Sequence, residues 1–161
     1  MKVIIQRVQN CSVTIDGAVH SQIGKGLLIL LGVAKGDTEA EAAYLAAKCT
    51  GLRIFEDAAG KMNLSAEAIG GELMVVTNFT LCGSCIKGKR PSFDGAERPE
   101  IAKPLTEFFV SECRKSGLRV ETGVFGADMK VALTNDGPVT LVIDPKLPLS
   151  LQLSSTYGQA Q

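Results

Sequence analysis

Few residues of this chain have side chains suited to acid–base or nucleophilic chemistry. The sequence has one histidine in 161 residues, His20, and it follows the Asp16-Gly17 pair, which is typical of a two-residue hairpin turn. His20 could be the base of a Ser-His-Asp or Cys-His enzyme, which needs a histidine beside its nucleophile. It could instead be an exposed histidine at a strand edge, and we prefer this second interpretation. Zinc hydrolases need three or four Cys, His or carboxylate ligands at workable spacing, and no such set is present. We therefore expect neither a metal nor another cofactor.

Two cysteines form the sequence Cys82-Gly83-Ser84-Cys85, a pattern compatible with a redox dithiol or with half of a zinc site. No second pair follows it, and no strand–helix–strand unit of the thioredoxin kind precedes it. The five cysteines are an odd number, and the apolar run at residues 3–5 is too short for the core of a signal peptide. We interpret the thiols as reduced, as in a cytoplasmic protein, and keep a thiol-redox function of Cys82 and Cys85 as the least favoured alternative.

A compact group of cations, Lys87, Lys89 and Arg90, lies in the sequence Lys87-Gly88-Lys89-Arg90-Pro91. Seventeen basic residues balance seventeen acidic ones, so the whole chain has no field that would attract nucleic acid non-specifically, and any such contact must be local. A flexible cationic loop can bind phosphate, although a solvated surface cluster is an equally good interpretation. The longest apolar stretch, residues 27–33, is far shorter than the roughly 20 residues of a membrane-spanning helix, so no membrane partner is expected.

The elements that must position these residues are mostly strands. Leu27–Val33 is continuously apolar, as in a central strand that is covered on both faces. The hydroxyl of Thr38 and the carboxylate of Glu41 have the spacing of a capping box, which predicts a helix that continues through Cys49 and ends near Gly51. Other strands are predicted at 3–8, 12–15, 52–55 and 72–81. A second helix is predicted from Pro99 to about Gly117, with Pro104 in its first turn or at a kink.

Two further apolar runs, Met129–Leu133 and Val139–Ile143, are expected to pair as strands or to line one sheet. Between them lies Asn135-Asp136-Gly137-Pro138, which composition alone predicts to be a turn. The sequence thus predicts one α+β domain over residues 1–144, with two main helices and a mixed or largely antiparallel sheet or barrel-like core. Residues 145–161 are expected to be a loosely structured tail.

Several blocks together resemble the D-aminoacyl-tRNA deacylase family, over about residues 1–144, and their order along one domain makes the resemblance specific. The blocks are Gln6-Arg7-Val8, Leu52-Arg53-Ile54-Phe55-Glu56-Asp57, Gly60-Lys61-Met62-Asn63, Asn78-Phe79-Thr80-Leu81, Lys87-Gly88-Lys89-Arg90-Pro91-Ser92-Phe93, Phe125-Gly126-Ala127-Asp128-Met129 and Asn135-Asp136-Gly137-Pro138-Val139-Thr140.

The resemblance implies a homodimer whose subunits each insert a cis Gly137-Pro138 peptide into the active site of the other. Carbonyl groups of this element would hold the amino group of the substrate and leave no room for an L side chain, and Arg7 would brace the element. Glycine has no side chain to reject. The implied substrates are D-aminoacyl-tRNA and glycyl-tRNA mischarged on tRNA-Ala, so the implied role is chiral proofreading in translation.

The resemblance also implies an ester hydrolysis that relies on the backbone and on RNA. Amides at Phe79 and Thr80 would stabilise the oxyanion, and water would attack with help from the 2′-OH of the terminal ribose, because the Thr80 hydroxyl has no neighbouring base. Asn78 departs from the glutamine usual in the family. That change and the lack of a side-chain base keep open a second hypothesis, a non-catalytic RNA-binding homologue.

The remaining residues carried by the resemblance are implied to bind tRNA. Phe125 and Met129 would line the pocket for the terminal adenosine, with plain core packing as the alternative interpretation. Lys87, Lys89 and Arg90 would meet acceptor-stem phosphates.

Overall fold

The structure, a computed structural model, describes residues 1–146. Over this range the chain forms strands, two α helices and one short 3₁₀ helix, in an α+β arrangement. The strands are β1 (Lys2–Ile15), β2 (Ala18–Ile23), β3 (Gly26–Gly32), β4 (Phe55–Glu56), β5 (Met62–Leu64), β6 (Glu72–Thr77), β7 (Arg119–Thr122) and β8 (Lys130–Ile143), and the helices are α1 (Glu39–Gly51), the 3₁₀ helix (Phe79–Cys82) and α2 (Pro99–Arg114).

The main sheet is mixed and is built around the long strand β1. Its strands run in the order β2-β1-β3-β6-β7, and β8 also pairs with β1. The pairs of β1 with β2, β3 and β8 are antiparallel, whereas β3 with β6 and β6 with β7 are parallel. The two end strands of this order approach each other, since Ser21 Oγ on β2 donates to the carbonyl of Thr122 on β7 at 2.8 Å. The predicted mixed, barrel-like sheet is confirmed.

Apolar residues lie on both faces of the sheet. On one face Leu27, Ile29 and Leu73 pack in a cluster with side chains of α1 and α2, such as Leu45 and Phe109. On the other face a smaller cluster comprises Val8, Cys11, Val13, Ile23, Leu28, Met74 and Val76. Successive side chains of a strand point to opposite faces of the sheet. Because β3 contributes side chains to both clusters, it is apolar at nearly every position.

Both predicted helices are present. Helix α1 begins after Thr38, whose hydroxyl accepts from the Ala40 amide while Glu41 accepts from the Thr38 amide, so the predicted capping box is confirmed. Helix α2 contains Pro104 beyond its first turn, and Gly117 follows its end with φ +79.

Three elements differ from the sequence prediction. The strand expected at 52–55 is reduced to the two residues of β4, and the strand expected at 72–81 ends at Thr77. The two apolar runs at 129–133 and 139–143 do not pair with each other; apart from Met129 they lie in the single strand β8, so they line one sheet as the second alternative predicted. The reason is the length of β1, which pairs with both runs.

The prediction of a turn at Asn135-Asp136-Gly137-Pro138 is therefore wrong, because these residues lie inside β8. The Gly137–Pro138 peptide bond is cis, and the register with β1 shifts on both sides of Val8. Within the described range no helix is long and apolar enough to cross a membrane. The expected loose tail falls almost wholly after residue 146, outside the described residues.

Candidate active site

A cleft of about 880 Å³ opens beside the sheet, and α2 contributes Pro99, Ala102 and Thr106 to its lining. Its apolar lining includes Leu28 and Leu30 of β3, Val76 of β6 and the β8 residues Val131 and Leu133. Part of the polar lining comes from the end of β6 and the start of the 3₁₀ helix, with Thr77, Asn78 and Thr80. The cleft therefore joins an apolar floor to a short polar turn, a combination common in small-molecule sites.

Asn78 determines the shape of the polar turn. Its backbone amide donates to the carbonyl of Leu31 at 2.8 Å, which ties the turn to the end of β3. Its side-chain Oδ1 accepts from the Thr80 amide at 3.2 Å and from the Thr80 hydroxyl, so Asn78 caps the 3₁₀ helix. Short polar side chains that bond the backbone two residues on favour turns over strands, which explains why β6 ends at Thr77. The Thr80 amide, expected to face the oxyanion, is thus occupied by Asn78.

Glycines allow this turn to pack closely. A Cβ on Gly32 would lie 2.9 Å from Leu81 Cβ and 3.0 Å from the Asn78 carbonyl oxygen. A Cβ on Gly83 would lie 2.8 Å from the ring of Phe93. Sequence reasoning gave Gly32 no role, although a glycine inside an apolar strand is a signal of close backbone approach.

Phe79 lies at the cleft with its ring largely uncovered, at 59% exposure. The ring meets Phe93 edge to face, with centroids 5.2 Å apart. The family resemblance implied a role only for the backbone amide of Phe79. The exposed ring of Phe79 was not predicted from the sequence.

Phe125 and Met129 also line the cleft, and both are half-buried. Phe125 packs against the larger cluster, which contains the α1 and α2 side chains, and Met129 packs against the smaller one. The Met129 sulfur fills the space that a Cβ on Gly123 would need. Both the binding interpretation and the packing interpretation of these two residues are compatible with this placement.

Arg7, Gly137 and Pro138 lie apart from the cleft of their own chain and are absent from its lining. Gln6 lines the cleft, and the next side chain of β1, that of Arg7, points to the other face. Arg7 is 5% exposed and donates from Nη1 to the Ile54 carbonyl at 2.6 Å and from Nε to the Asp136 carbonyl at 3.2 Å. Gly137 and Pro138 themselves are exposed.

Gly137 has φ +119, a value that favours glycine. A Cβ at this position would lie 2.9 Å from Val139 Cγ2 and 3.0 Å from Arg7 Nη2. The guanidinium therefore lies directly against the residue that precedes Pro138.

The cations Lys87, Lys89 and Arg90 are all exposed and lie outside the cleft lining. Their loop is closed at its base by two hydrogen bonds between Ser84 and Ser92, at 2.7 and 2.9 Å. Phe93, which contacts the ring of Phe79, follows immediately. The loop is thus anchored beside the polar end of the cleft.

Among the described residues, the titratable groups that line the cleft are two carboxylates, those of Glu97 and Asp128. Hydrogen bonds from the amide of Arg98 and then that of Gly36 hold the pKa of Glu97 below its ordinary value, so it stays ionised and is a weak base. Asp128 pairs with Lys130 at 2.9 Å. His20 is exposed on β2, away from the cleft. A side chain poised for general-base catalysis is therefore missing from the described lining.

The two thiols of the Cys82-Gly83-Ser84-Cys85 sequence differ in their burial. Cys82 and Cys85 are both free, the first buried and the second exposed. Burial raises the pKa of the Cys82 thiol, whereas a reactive thiol needs a lowered pKa. Within residues 1–146 no cluster of three His, Cys, Asp or Glu residues could hold a metal ion.

Known proteins match this chain over nearly its whole length. The family model "D-Tyr-tRNA(Tyr) deacylase" matches residues 4–144. Proteins named D-aminoacyl-tRNA deacylase are 55% identical in Geobacter sulfurreducens and 56% identical in Koribacter versatilis. Each alignment covers 91% of this chain, and 96% and 98% of the respective relative.

Two solved structures share the fold. A protein titled "c-Myc DNA Unwinding Element Binding Protein" superimposes with TM-score 0.84 at 38% identity, covering 89% of this chain and 98% of that one. A "probable eukaryotic D-amino acid tRNA deacylase" superimposes with TM-score 0.76 at 15% identity, covering 88% and 97%.

The fold and the comparisons together define the class of the protein, an enzyme that hydrolyses ester bonds. The chain belongs to the D-Tyr-tRNA(Tyr) deacylase family.

Proposed function

We propose that this enzyme hydrolyses the ester bond of D-aminoacyl-tRNA and releases the free D-amino acid and tRNA. The observation that carries the proposal is the family match over residues 4–144, which includes both the Asn78–Thr80 turn and the Gly137–Pro138 peptide. The substrate comes from the relatives, which are named for this activity. The cytoplasm, where aminoacyl-tRNA is made and used, is the corresponding location.

We propose that the active site is completed by a second copy of the chain. Gly137 and Pro138 are exposed on β8, which pairs with β1 on one side, and they are absent from the cleft lining of their own chain. A two-fold dimer would let each subunit insert this peptide into the cleft of the other, since both surfaces are present on every copy. Arg7 would fix the inserted peptide through its contact with Asp136.

Selectivity in this arrangement is steric. Carbonyl oxygens of the inserted element would accept hydrogen bonds from the ammonium group of the substrate and fill the space beside it. An L side chain would need that space, whereas a D side chain points elsewhere and the hydrogen of glycine requires little room. Glycyl-tRNA, including glycine mischarged on tRNA-Ala, is therefore the proposed second substrate, and the identity of the D side chain should matter little.

The proposed chemistry uses water as the nucleophile. Water adds to the ester carbonyl carbon, the bond from that carbon to the ribose oxygen breaks, and the leaving oxygen takes up the proton that the water has lost. The neighbouring 2′-OH of the terminal ribose would relay this proton, because Glu97 is a weak base and Asp128 is paired with Lys130. The backbone amide of Phe79 would stabilise the oxyanion, and that of Thr80 would join it in any state in which Asn78 releases it.

The tRNA would approach along the side of the cleft that carries the basic loop. Phe125 and Met129 would contact the terminal adenosine, while Lys87, Lys89 and Arg90 would contact acceptor-stem phosphates. These contacts involve the RNA backbone and the common 3′ end, so they fit an enzyme that acts on many tRNAs.

The proposal is tested by incubating the purified protein with D-tyrosyl-tRNA, L-tyrosyl-tRNA and glycyl-tRNA and measuring the amino acid released. We expect hydrolysis of the D-tyrosyl and glycyl esters and none of the L-tyrosyl ester above the rate without enzyme. Absence of D-tyrosine release would refute the proposed activity. Tight tRNA binding without hydrolysis would favour a non-catalytic RNA-binding protein instead.

A further inference from the structure

The side-chain amide of Asn78 has a fixed orientation. The Thr80 amide N–H and the Thr80 hydroxyl both contact the same Asn78 atom, Oδ1. A backbone N–H can only donate, so the atom facing it must be the oxygen of the carboxamide and not the nitrogen. Because that oxygen only accepts, the Thr80 hydroxyl must donate its hydrogen to it as well. The two contacts together hold the carboxamide in one of its two possible orientations.

The nitrogen of the same carboxamide is left as a donor. Among the described residues Nδ2 of Asn78 has no hydrogen-bond partner, and it is not among the buried polar atoms that lack one. It is therefore accessible to solvent. Asn78 is half-buried and lines the cleft, so we infer that this accessible NH₂ group is open to the cleft.

We propose that the Asn78 NH₂ group is a catalytic donor, which binds the carbonyl oxygen of the scissile ester and stabilises the oxyanion. The inference rests on the proposed function and deepens it. The Thr80 amide is already occupied by Asn78 Oδ1, so a donor is missing from the pair of backbone amides that the reaction would otherwise use. The Asn78 NH₂ group, two residues earlier on the same turn, supplies one while the contact between Asn78 Oδ1 and Thr80 stays in place.

Held in this way, the donor meets the main requirement for oxyanion stabilisation, which is that its orientation be set before charge develops. Addition of water to the carbonyl carbon places a negative charge on the carbonyl oxygen. The Asn78 NH₂ group donates to that oxygen, and its own protons stay in place when the oxyanion collapses and expels the ribose oxygen. Asn78 thus has two roles, because its oxygen shapes the turn and its nitrogen contacts the substrate.

Two substitutions separate these roles. Asn78→Asp keeps an oxygen that can accept from the Thr80 amide and hydroxyl, and Asn78→Ser keeps a hydroxyl that caps helices well, yet neither retains the NH₂ donor. The matched control is Asn10→Ser on β1, an exposed asparagine whose amide contacts Thr134 outside the cleft.

The experiment measures single-turnover rates, KM and melting temperature for these variants with D-tyrosyl-tRNA. We expect Asn78→Asp and Asn78→Ser to melt close to the wild type, to keep KM within about twofold and to lose roughly 100-fold in rate, as for removal of an oxyanion donor. Asn10→Ser should match the wild type. A rate for Asn78→Ser within twofold of the wild type would overturn the inference but leave the proposed function intact. Failure of the wild type to release D-tyrosine would overturn both.

Discussion

The guanidinium of Arg7 donates from Nε to the carbonyl oxygen of Asp136 at 3.2 Å, and Asp136 is the residue immediately before Gly137. The same guanidinium reaches the Ile54 carbonyl at 2.6 Å, so one buried side chain ties β8 to the segment before β4. Planar geometry lets arginine donate to two carbonyls in fixed directions, which lysine cannot reproduce. The position of the exposed Gly137–Pro138 peptide thus depends on a residue far away in the sequence.

Replacing Arg7 tests this dependence. Arg7→Lys keeps the charge but removes the pair of directed hydrogen bonds, so we expect kcat/KM for D-tyrosyl-tRNA to fall roughly 10- to 100-fold, as for a misplaced substrate-positioning group. The control is Arg114→Lys, in which an exposed arginine also donates to a carbonyl, that of Val120, but far from Gly137. Equal activity of Arg7→Lys and the wild type would show that the contact with Asp136 does not matter for turnover.

Gly32 tests the packing of the polar turn. Gly32→Ala places a methyl group within 3.0 Å of the Leu81 side chain and the Asn78 carbonyl, so the turn must move away from β3. We expect turnover to fall at least tenfold, since a displacement near 1 Å in a site is costly, with a smaller effect on the affinity for tRNA. Gly51→Ala, at the end of α1 with nothing within 4 Å of the new Cβ, should behave like the wild type. A fully active Gly32→Ala enzyme would contradict this role for the close approach.

The basic loop is tested by salt dependence. Changing Lys87, Lys89 and Arg90 together to glutamine should raise KM for aminoacyl-tRNA and flatten the plot of log(kcat/KM) against log[salt]. The slope should fall by about 0.7 to 0.9 for each phosphate that the loop no longer neutralises. The single-turnover rate at saturating tRNA should change little. Lys115→Gln, an exposed lysine paired with Glu112 beyond α2, serves as the control. An unchanged salt slope in the triple variant would place the phosphate contacts elsewhere.

Thiol reactivity tests the remaining alternative function. Burial raises the pKa of Cys11 to about 11 and that of Cys113 to about 12, and it also raises the pKa of Cys49 and Cys82. These thiols stay protonated and covered at neutral pH, so a thiol reagent should modify the exposed Cys85 alone in the native protein. Deacylation by Cys82→Ser should equal that of the wild type. Rapid modification of Cys82, or inactivity of Cys82→Ser, would revive the redox hypothesis.

Much of the fold could be predicted from local patterns. The capping box at Thr38 and Glu41 marks the start of α1, and the unbroken apolar run of β3 reflects a strand that serves two clusters. Patterns of this kind succeed because the interactions that cause them lie within a few residues of each other or repeat with the period of the element.

Long-range pairing explains two of the failures, and a local side-chain cap explains the third. Asn135-Asp136-Gly137-Pro138 has the composition of a turn, yet β1 is long enough to hold the residues on both sides in one strand. The Asn78 cap on the 3₁₀ helix ended the predicted strand early, and neither the composition nor the family motif indicated that it would occupy the Thr80 amide. The side of the sheet on which Arg7 and Gly137 meet depends on register, which a single sequence does not reveal.

The central claim is that Gly137–Pro138 of one subunit completes the cleft of the other. It predicts that two inactive variants will complement each other. Gly137→Val disables the peptide, because a side chain there meets Val139 and Arg7, and Thr80→Trp fills the cleft. Co-expression with two different C-terminal tags isolates the mixed dimer and avoids extending Met1, which is fully buried.

In that mixed dimer, the intact peptide of the Thr80→Trp subunit would meet the intact cleft of the Gly137→Val subunit, so one of the two sites would be complete. The measurement is the rate of D-tyrosine release from D-tyrosyl-tRNA, compared with each variant alone. We predict that the mixed dimer recovers about half of the wild-type rate while both parent variants are inactive. A mixed dimer no more active than its parents, or a protein that forms no dimer at all, would contradict the account.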